Sequence, residues 1–135
     1  MSNSYEVTVE VTRQYRALFA VLYDAQKRAQ WGKGRNRHGA GRPFEEQPIV
    51  SLCRLYGSGF AMGQVAKKMQ EAQEMDDPEQ ARSELLDAIV YLAGAALYLD
   101  QEAEKQAIEE ARGSQQPDVS GPRYPGMVDS EVEPE

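Results

Sequence analysis

The chain has 135 residues, a length that fits one domain, and 41% of them are apolar, which is enough for a packed core. The formal net charge of −7 argues against broad nucleic-acid binding. A single cysteine, Cys53, rules out an internal disulfide and favours a reducing compartment such as the cytoplasm. The polar start predicts no signal peptide, and the longest apolar stretch, 85–99, is short for a membrane span.

The first helical pattern follows a polar N-terminal segment. Residues 1–11 contain alternating valines, which are compatible with a short strand or with the start of the next helix. Apolar residues then recur at spacings of three and four and predict a helix over 12–31. The glycine-rich segment 31–43 is predicted to be a loop. Basic residues crowd in and before this loop, namely Lys27, Arg28, Lys33, Arg35, Arg37 and Arg42.

Three further helices are predicted after the loop. Pro48 suits the first turn of a short helix that ends near Tyr56, and a Gly-Ser-Gly break separates it from a helix over 60–75. Asp77 and Pro78 are typical of a helix start, and the last helix is predicted to run to about residue 112, either continuously or with a break near residue 100. The sequence therefore predicts an all-α bundle of about four main helices over 1–113 and a disordered acidic, proline-rich tail over 114–135.

Two pairs of carboxylates have the same spacing on the last two predicted helices. The pattern reads E-x-x-E and then E-x-x-D, with the acids at Glu71, Glu74, Glu84 and Asp87. Residues three apart lie on one helix face, so antiparallel packing of the two helices would bring all four side chains together. Such a cluster repels itself unless cations lie within it, and oxygen ligands suit Mg²⁺ or Mn²⁺. The alternative is a solvated face on the first helix and a buried salt bridge on the second, made with Lys67, Lys68 or Arg82.

This order of motifs on two helices of a small all-α protein resembles the MazG-type nucleoside triphosphate pyrophosphohydrolases over about residues 60–99. The resemblance implies that the four acids bind Mg²⁺ or Mn²⁺, with two or more ions in each site. It also implies that water attacks the α-phosphate of a nucleoside triphosphate and releases a nucleoside monophosphate and pyrophosphate. The chain differs from the family pattern at Gln70, where many members have a further acid, and in its short connection, 75–83.

The compact form is most similar to phage-encoded members of this family that act on purine deoxynucleotides. That similarity implies dGTP in preference to dATP as the substrate, and the host cytoplasm as the location. The reaction needs a group that takes a proton from water, and we assign this role to Glu74.

Other side chains are candidates for substrate binding. Lys67 lies one turn before Glu71 and can hold a phosphate or form a helical ion pair with that glutamate. Trp31 can stack on a base and Tyr91 can touch the sugar, although core or interface positions are the alternative for both. The basic glycine loop can close over a triphosphate or remain a solvated loop, and its candidate residues are Lys33, Arg35 and Arg37.

The segment 85–99 is apolar on nearly all sides, which predicts a buried helix. Because one layer of neighbours cannot cover such a helix in a small chain, we expect a homodimer or a homotetramer. A rival from another class is a non-enzymatic oligomeric helical adaptor, whose basic loop docks an acidic partner or nucleic acid.

Overall fold

The computed structural model describes residues 12–32 and 41–114, and within them the chain forms four α-helices and no strand. One-turn 3-10 helices, Thr12–Tyr15 and Phe44–Glu46, come before the first and the second α-helix respectively. The α-helices are α1, Arg16–Trp31; α2, Pro48–Tyr56; α3, Gly59–Glu74; and α4, Pro78–Gly113. The predicted all-α architecture with four main helices is confirmed. The predictions for residues 1–11, for the basic loop over 33–40 and for the tail after residue 114 lie outside the described residues.

The start of α4 is built as its sequence predicts. The backbone N–H of Glu79 donates to Oδ1 of Asp77 at 3.0 Å, so that carboxylate satisfies one of the free donors of the first turn. Pro78 occupies the first helical position, where its missing N–H costs nothing. The helix then continues through Asp100 without the break that was one of the two predicted alternatives.

A glycine turns the chain between α2 and α3. Gly57 has φ +80°, a backbone conformation that residues with a Cβ rarely adopt, and its N–H donates to the carbonyl of Cys53 at 2.7 Å. The short connection brings the two helices side by side, and Cys53 of α2 and Ala61 of α3 are both fully buried in one cluster with Ala95 of α4.

The first half of α4 is the element against which the other helices pack. Asp24 of α1 pairs with Arg82, and Arg28, one turn later, pairs with Asp87. Because both helices advance in the same direction between these pairs, α1 runs parallel to this part of α4. Helix α3 runs antiparallel to it, because Lys68 pairs with Glu84 whereas the earlier residue Phe60 makes an edge contact with the later residue Tyr91.

Helix α2 approaches α4 closely at a glycine. A Cβ at Gly94 would overlap Cγ2 of Ile49, and it would lie 3.8 Å from Cγ2 of Val50. Farther along, Nη1 of Arg54 donates to Oε1 of Gln101 at 2.8 Å, which shows that α2 runs parallel to α4.

The core of the chain is made mainly of small side chains. Val50 and Cys53 are the largest side chains that are fully buried within the described residues. In the single chain Leu85, Leu92 and Leu99 are 43–54% exposed, so the predicted burial of α4 on nearly all sides needs a second chain and stays a prediction. Helices α1, α2 and α3 lie against one side of α4 and leave these leucines uncovered.

The chain divides into two compact units, residues 1–103 and 104–135, and α4 continues across their boundary. The predicted boundary after residue 113 stays a prediction. None of the helices in residues 12–32 and 41–114 combines the length and the apolar character that crossing a bilayer requires.

Gly94→Ala tests the close approach of α2 and α4. We expect a loss of about 1–3 kcal/mol in the free energy of unfolding, because Ile49 is β-branched and cannot swing aside easily. Gly63→Ala is the matched control: this glycine also lies inside a helix, but an added Cβ meets no atom within 4 Å. That variant should gain up to about 1 kcal/mol from helix propensity. Urea unfolding followed by circular dichroism measures both, and equal effects would contradict the packing described.

Candidate functional site

The acid pair of α4 converges on one cation from α3. Nζ of Lys68 lies 2.9 Å from Oε2 of Glu84 and 3.6 Å from Oδ2 of Asp87. The three-residue spacing therefore points both carboxylates to the same side of α4, as predicted. All three side chains are partly buried, which weakens screening by water and strengthens their attraction.

Asp87 also has a second partner, from α1. Nε of Arg28 donates to Oδ1 of Asp87 at 2.8 Å, and Nη2 donates to Oδ2 at 3.0 Å. This two-point contact matches the planar guanidinium to the planar carboxylate. Sequence reasoning missed Arg28 as a partner, because the two residues are 59 positions apart and no local pattern links them.

The cluster formed by Arg28, Lys68, Glu84 and Asp87, here called the ion-pair junction, is balanced in charge. The hydrogen bond to Asp87 raises the pKa of Arg28 more than burial lowers it. Burial lowers the pKa of Lys68, but the hydrogen bond to Glu84 and the charges of Asp87, Glu84 and Tyr91 together outweigh it and leave the pKa raised. Both cations thus stay charged at neutral pH. The arrangement of Glu84 and Asp87 corresponds to the salt bridge that was the alternative to a metal site.

The acids of α3 are arranged differently. Glu71 lies 3.7 Å from Nζ of Lys67 in an ion pair of i,i+4 spacing, and Glu74 is exposed at the end of the helix. No three Asp, Glu, His or Cys side chains in residues 12–32 and 41–114 are grouped so that they could hold a metal ion. The structure therefore brings Glu84 and Asp87 together and does not gather all four acids into one set.

Arg82, another predicted partner for the acids of α4, is engaged elsewhere. Its Nη2 lies 2.7 Å from Oδ2 of Asp24, and Nζ of Lys27 lies 3.4 Å from the other oxygen of that carboxylate. The hydrogen bond from Arg82 lowers the pKa of Asp24. These contacts add a second, more exposed link between α1 and α4.

The candidate substrate-binding residues fall in different places. Tyr91 lies one turn after Asp87 and is half-buried, with its ring centroid 6.4 Å from that of Phe60. Trp31 ends α1 and is 69% exposed. Lys67 is exposed and pairs with Glu71, which is the alternative to phosphate binding given above. The basic loop residues Lys33, Arg35 and Arg37 lie outside the described residues.

Comparisons of this chain with protein-family models, with curated proteins and with solved structures found no match. The resemblance to the MazG-type pyrophosphohydrolases therefore rests on the residue pattern alone.

Arg28→Met tests whether the two-point contact stabilises the fold. We expect a loss of about 1 kcal/mol in the free energy of unfolding, because a partly buried carboxylate loses its better partner. Lys67→Met is the control, since it removes an exposed helical pair, and should cost only about 0.2–0.5 kcal/mol. A double-mutant cycle with Asp87→Asn isolates the coupling between Arg28 and Asp87 in urea unfolding. A coupling of zero would show that the contact adds nothing to stability.

Proposed function

We propose that the chain is a Mg²⁺- or Mn²⁺-dependent pyrophosphohydrolase that converts a purine deoxynucleoside triphosphate, with dGTP favoured, to the monophosphate and pyrophosphate. The observation that carries the proposal is the convergence of Glu84 and Asp87 on one cation, Lys68. The resemblance in residue pattern supplies the reaction and adds Glu71 and Glu74 to the set of acids.

The acids present fit a divalent ion in their chemistry. Glu84 and Asp87 offer carboxylate oxygens, the ligands that Mg²⁺ and Mn²⁺ prefer, and both already lie within 3.6 Å of a positive charge. They are only partly buried, so an ion has a route to them from solvent. Glu71 lies one turn of α3 beyond Lys68, on the helix that faces these acids, and in the proposal it completes the set with Glu74.

Metal bound by these acids supplies a more acidic water molecule and offsets charge on the phosphates. Glu74, which is exposed, takes the proton from the attacking water in this proposal. Arg28 has a further role, because a guanidinium that binds a carboxylate at two points can bind a phosphate in the same way. In the proposal the remaining candidates contact the substrate and complete the site. They are Lys67, Lys33, Arg35, Arg37, Trp31 and Tyr91. The active form in this proposal is a homodimer or a homotetramer.

Release of pyrophosphate tests the activity directly. The wild-type chain is incubated with Mg²⁺ and dGTP, dATP, dCTP or dUTP, and we expect pyrophosphate with dGTP above the others. Asp87→Asn and Glu71→Gln should reduce release to the uncatalysed background, because each removes a proposed ligand. Glu104→Gln, which changes an exposed acid of α4 outside the set, should keep full activity. Pyrophosphate from none of the four nucleotides would refute the hydrolase proposal.

Metal affinity provides a test that does not need turnover. If Asp87 is a ligand, Arg28 competes with the ion for it, and Arg28→Gln should tighten Mn²⁺ binding about fivefold, the equivalent of about 1 kcal/mol. Lys27→Gln is the control for net charge alone, because this lysine pairs with Asp24 instead. Isothermal titration calorimetry measures both affinities. Equal tightening in the two variants would indicate a general charge effect and count against Asp87 as a ligand.

A second candidate is the oligomeric helical adaptor. It is favoured by the ion-pair junction, in which two cations already neutralise two of the four acids, and by the large apolar side chains exposed on α1 and α4. An adaptor would bind Mn²⁺ no more tightly than a surface acid does and would release no pyrophosphate. Salt-sensitive binding of a nucleic acid without turnover would identify it.

A further inference from the structure

Helix α1 packs against α4 with one face, and within the described residues its opposite face is left exposed. On the inner face Ala25 is 3% exposed, and Asp24 and Arg28 pair with α4. On the opposite face, large apolar side chains are 47–59% exposed. We call this the outer face, and its members are Tyr15, Leu18, Phe19, Leu22 and Tyr23. Large apolar side chains on a helix face are stabilised by a neighbour that covers them.

The spacing of the outer face suits a second helix. Its members follow the i, i+3, i+4, i+7 pattern by which one helix packs along another. The face is also ordered, since the rings of Phe19 and Tyr23 stack with their centroids 6.3 Å apart and 9° between their planes. Nζ of Lys27 lies 5.0 Å from the centroid of Tyr23 and holds the end of this stack. Rings that are already in place lose little side-chain entropy when a partner covers them.

We infer that the outer face binds the same face of a second copy of this chain, with a two-fold axis close to Phe19. The order of side chains is nearly symmetrical about that residue, because Tyr15 precedes it by four positions and Tyr23 follows it by four. In an antiparallel pair of α1 helices the two phenylalanines meet at the axis, and Tyr15 of each copy lies beside Tyr23 of the other. Such self-complementarity is what a two-fold interface requires.

Charge permits a second copy at the outer face. The chain carries a net charge of −7, so two copies repel each other over most of their surfaces. The five members of the outer face are uncharged, the Lys27 ammonium beside Tyr23 is positive, and the polar extension of the face along α1 consists of the amides Gln26 and Gln30. Two acidic chains can therefore meet there without bringing carboxylates together, and interface centres are generally depleted of charge.

The area of the outer face is sufficient. A large side chain buries about 150–250 Å² when fully covered, so five that are half-exposed offer on the order of 500 Å². Two copies would together bury about 1,000 Å², the size at which interfaces that persist in solution begin. The inference does not depend on the proposed hydrolase activity.

The oligomeric state of the full chain tests the inference. Sedimentation equilibrium should show a wild-type dimer, and Phe19→Glu/Leu22→Glu should raise its dissociation constant by on the order of 100-fold, because it places charges in the centre of the interface. The control is Met62→Glu, which adds a charge at an apolar residue of α3 that is 48% exposed, and it should leave the dimer intact. A monomeric wild type, or a dimer that the double variant leaves unchanged, overturns the inference. Dissociation by Met62→Glu also overturns it.

Cysteine crosslinking tests the position of the axis even if the double variant fails to fold. Phe19→Cys places the thiols of the two copies next to each other at the axis, within reach of a disulfide. Because Cys53 is fully buried, the introduced thiol is the reactive one. Under mild oxidation Phe19→Cys should form a covalent dimer, whereas Met62→Cys should remain uncrosslinked. Failure of Phe19→Cys to crosslink, or equal crosslinking of both variants, refutes the proposed two-fold arrangement.

Discussion

Asp87 lies where three helices meet, and its carboxylate is shared between a guanidinium of α1 and an ammonium of α3. A carboxylate that is partly removed from water needs partners, and the partners available here come from elements distant in sequence. The contact that neutralises the acid therefore also joins α1 to α4 and fixes the place of Arg28. The ion-pair junction links α1, α3 and α4 at this end of the first unit, beside buried apolar residues such as Val65 and Leu86.

In the proposed function, the charge balance of the junction gives the site two chemical states. With Arg28 and Lys68 in place, Glu84 and Asp87 are satisfied and the helices are linked. With a divalent ion in the proposed site, the carboxylates would be shared with the metal, and the guanidinium and ammonium would become available to an anion. A triphosphate would bring both the negative charge that such cations bind and oxygens that suit a divalent ion. The proposed function thus uses the same residues that stabilise the chain in the absence of substrate.

The small size of the buried side chains has a second consequence. Gly94 lets α2 approach α4 closely, but side chains as small as Ala61 and Ala95 each bury little apolar area. The large apolar residues of α1 and α4 are left at the surface, where they are free to stabilise contacts between chains. The sequence thus places small side chains at the buried positions and large apolar side chains on the outer face of α1.

The sequence by itself determined the helices and their ends, because hydrophobic periodicity, the Asp77-Pro78 start and the Gly57 turn act within a few residues of each other. It also determined that Glu84 and Asp87 share a side of α4, since helix geometry sets that spacing. Only the tertiary structure decided that Arg28 reaches Asp87, that Arg82 pairs with Asp24, and that Leu85, Leu92 and Leu99 of α4 remain exposed. Those outcomes depend on which faces of separate helices meet, and contacts across 59 residues leave no local pattern from which they could be predicted.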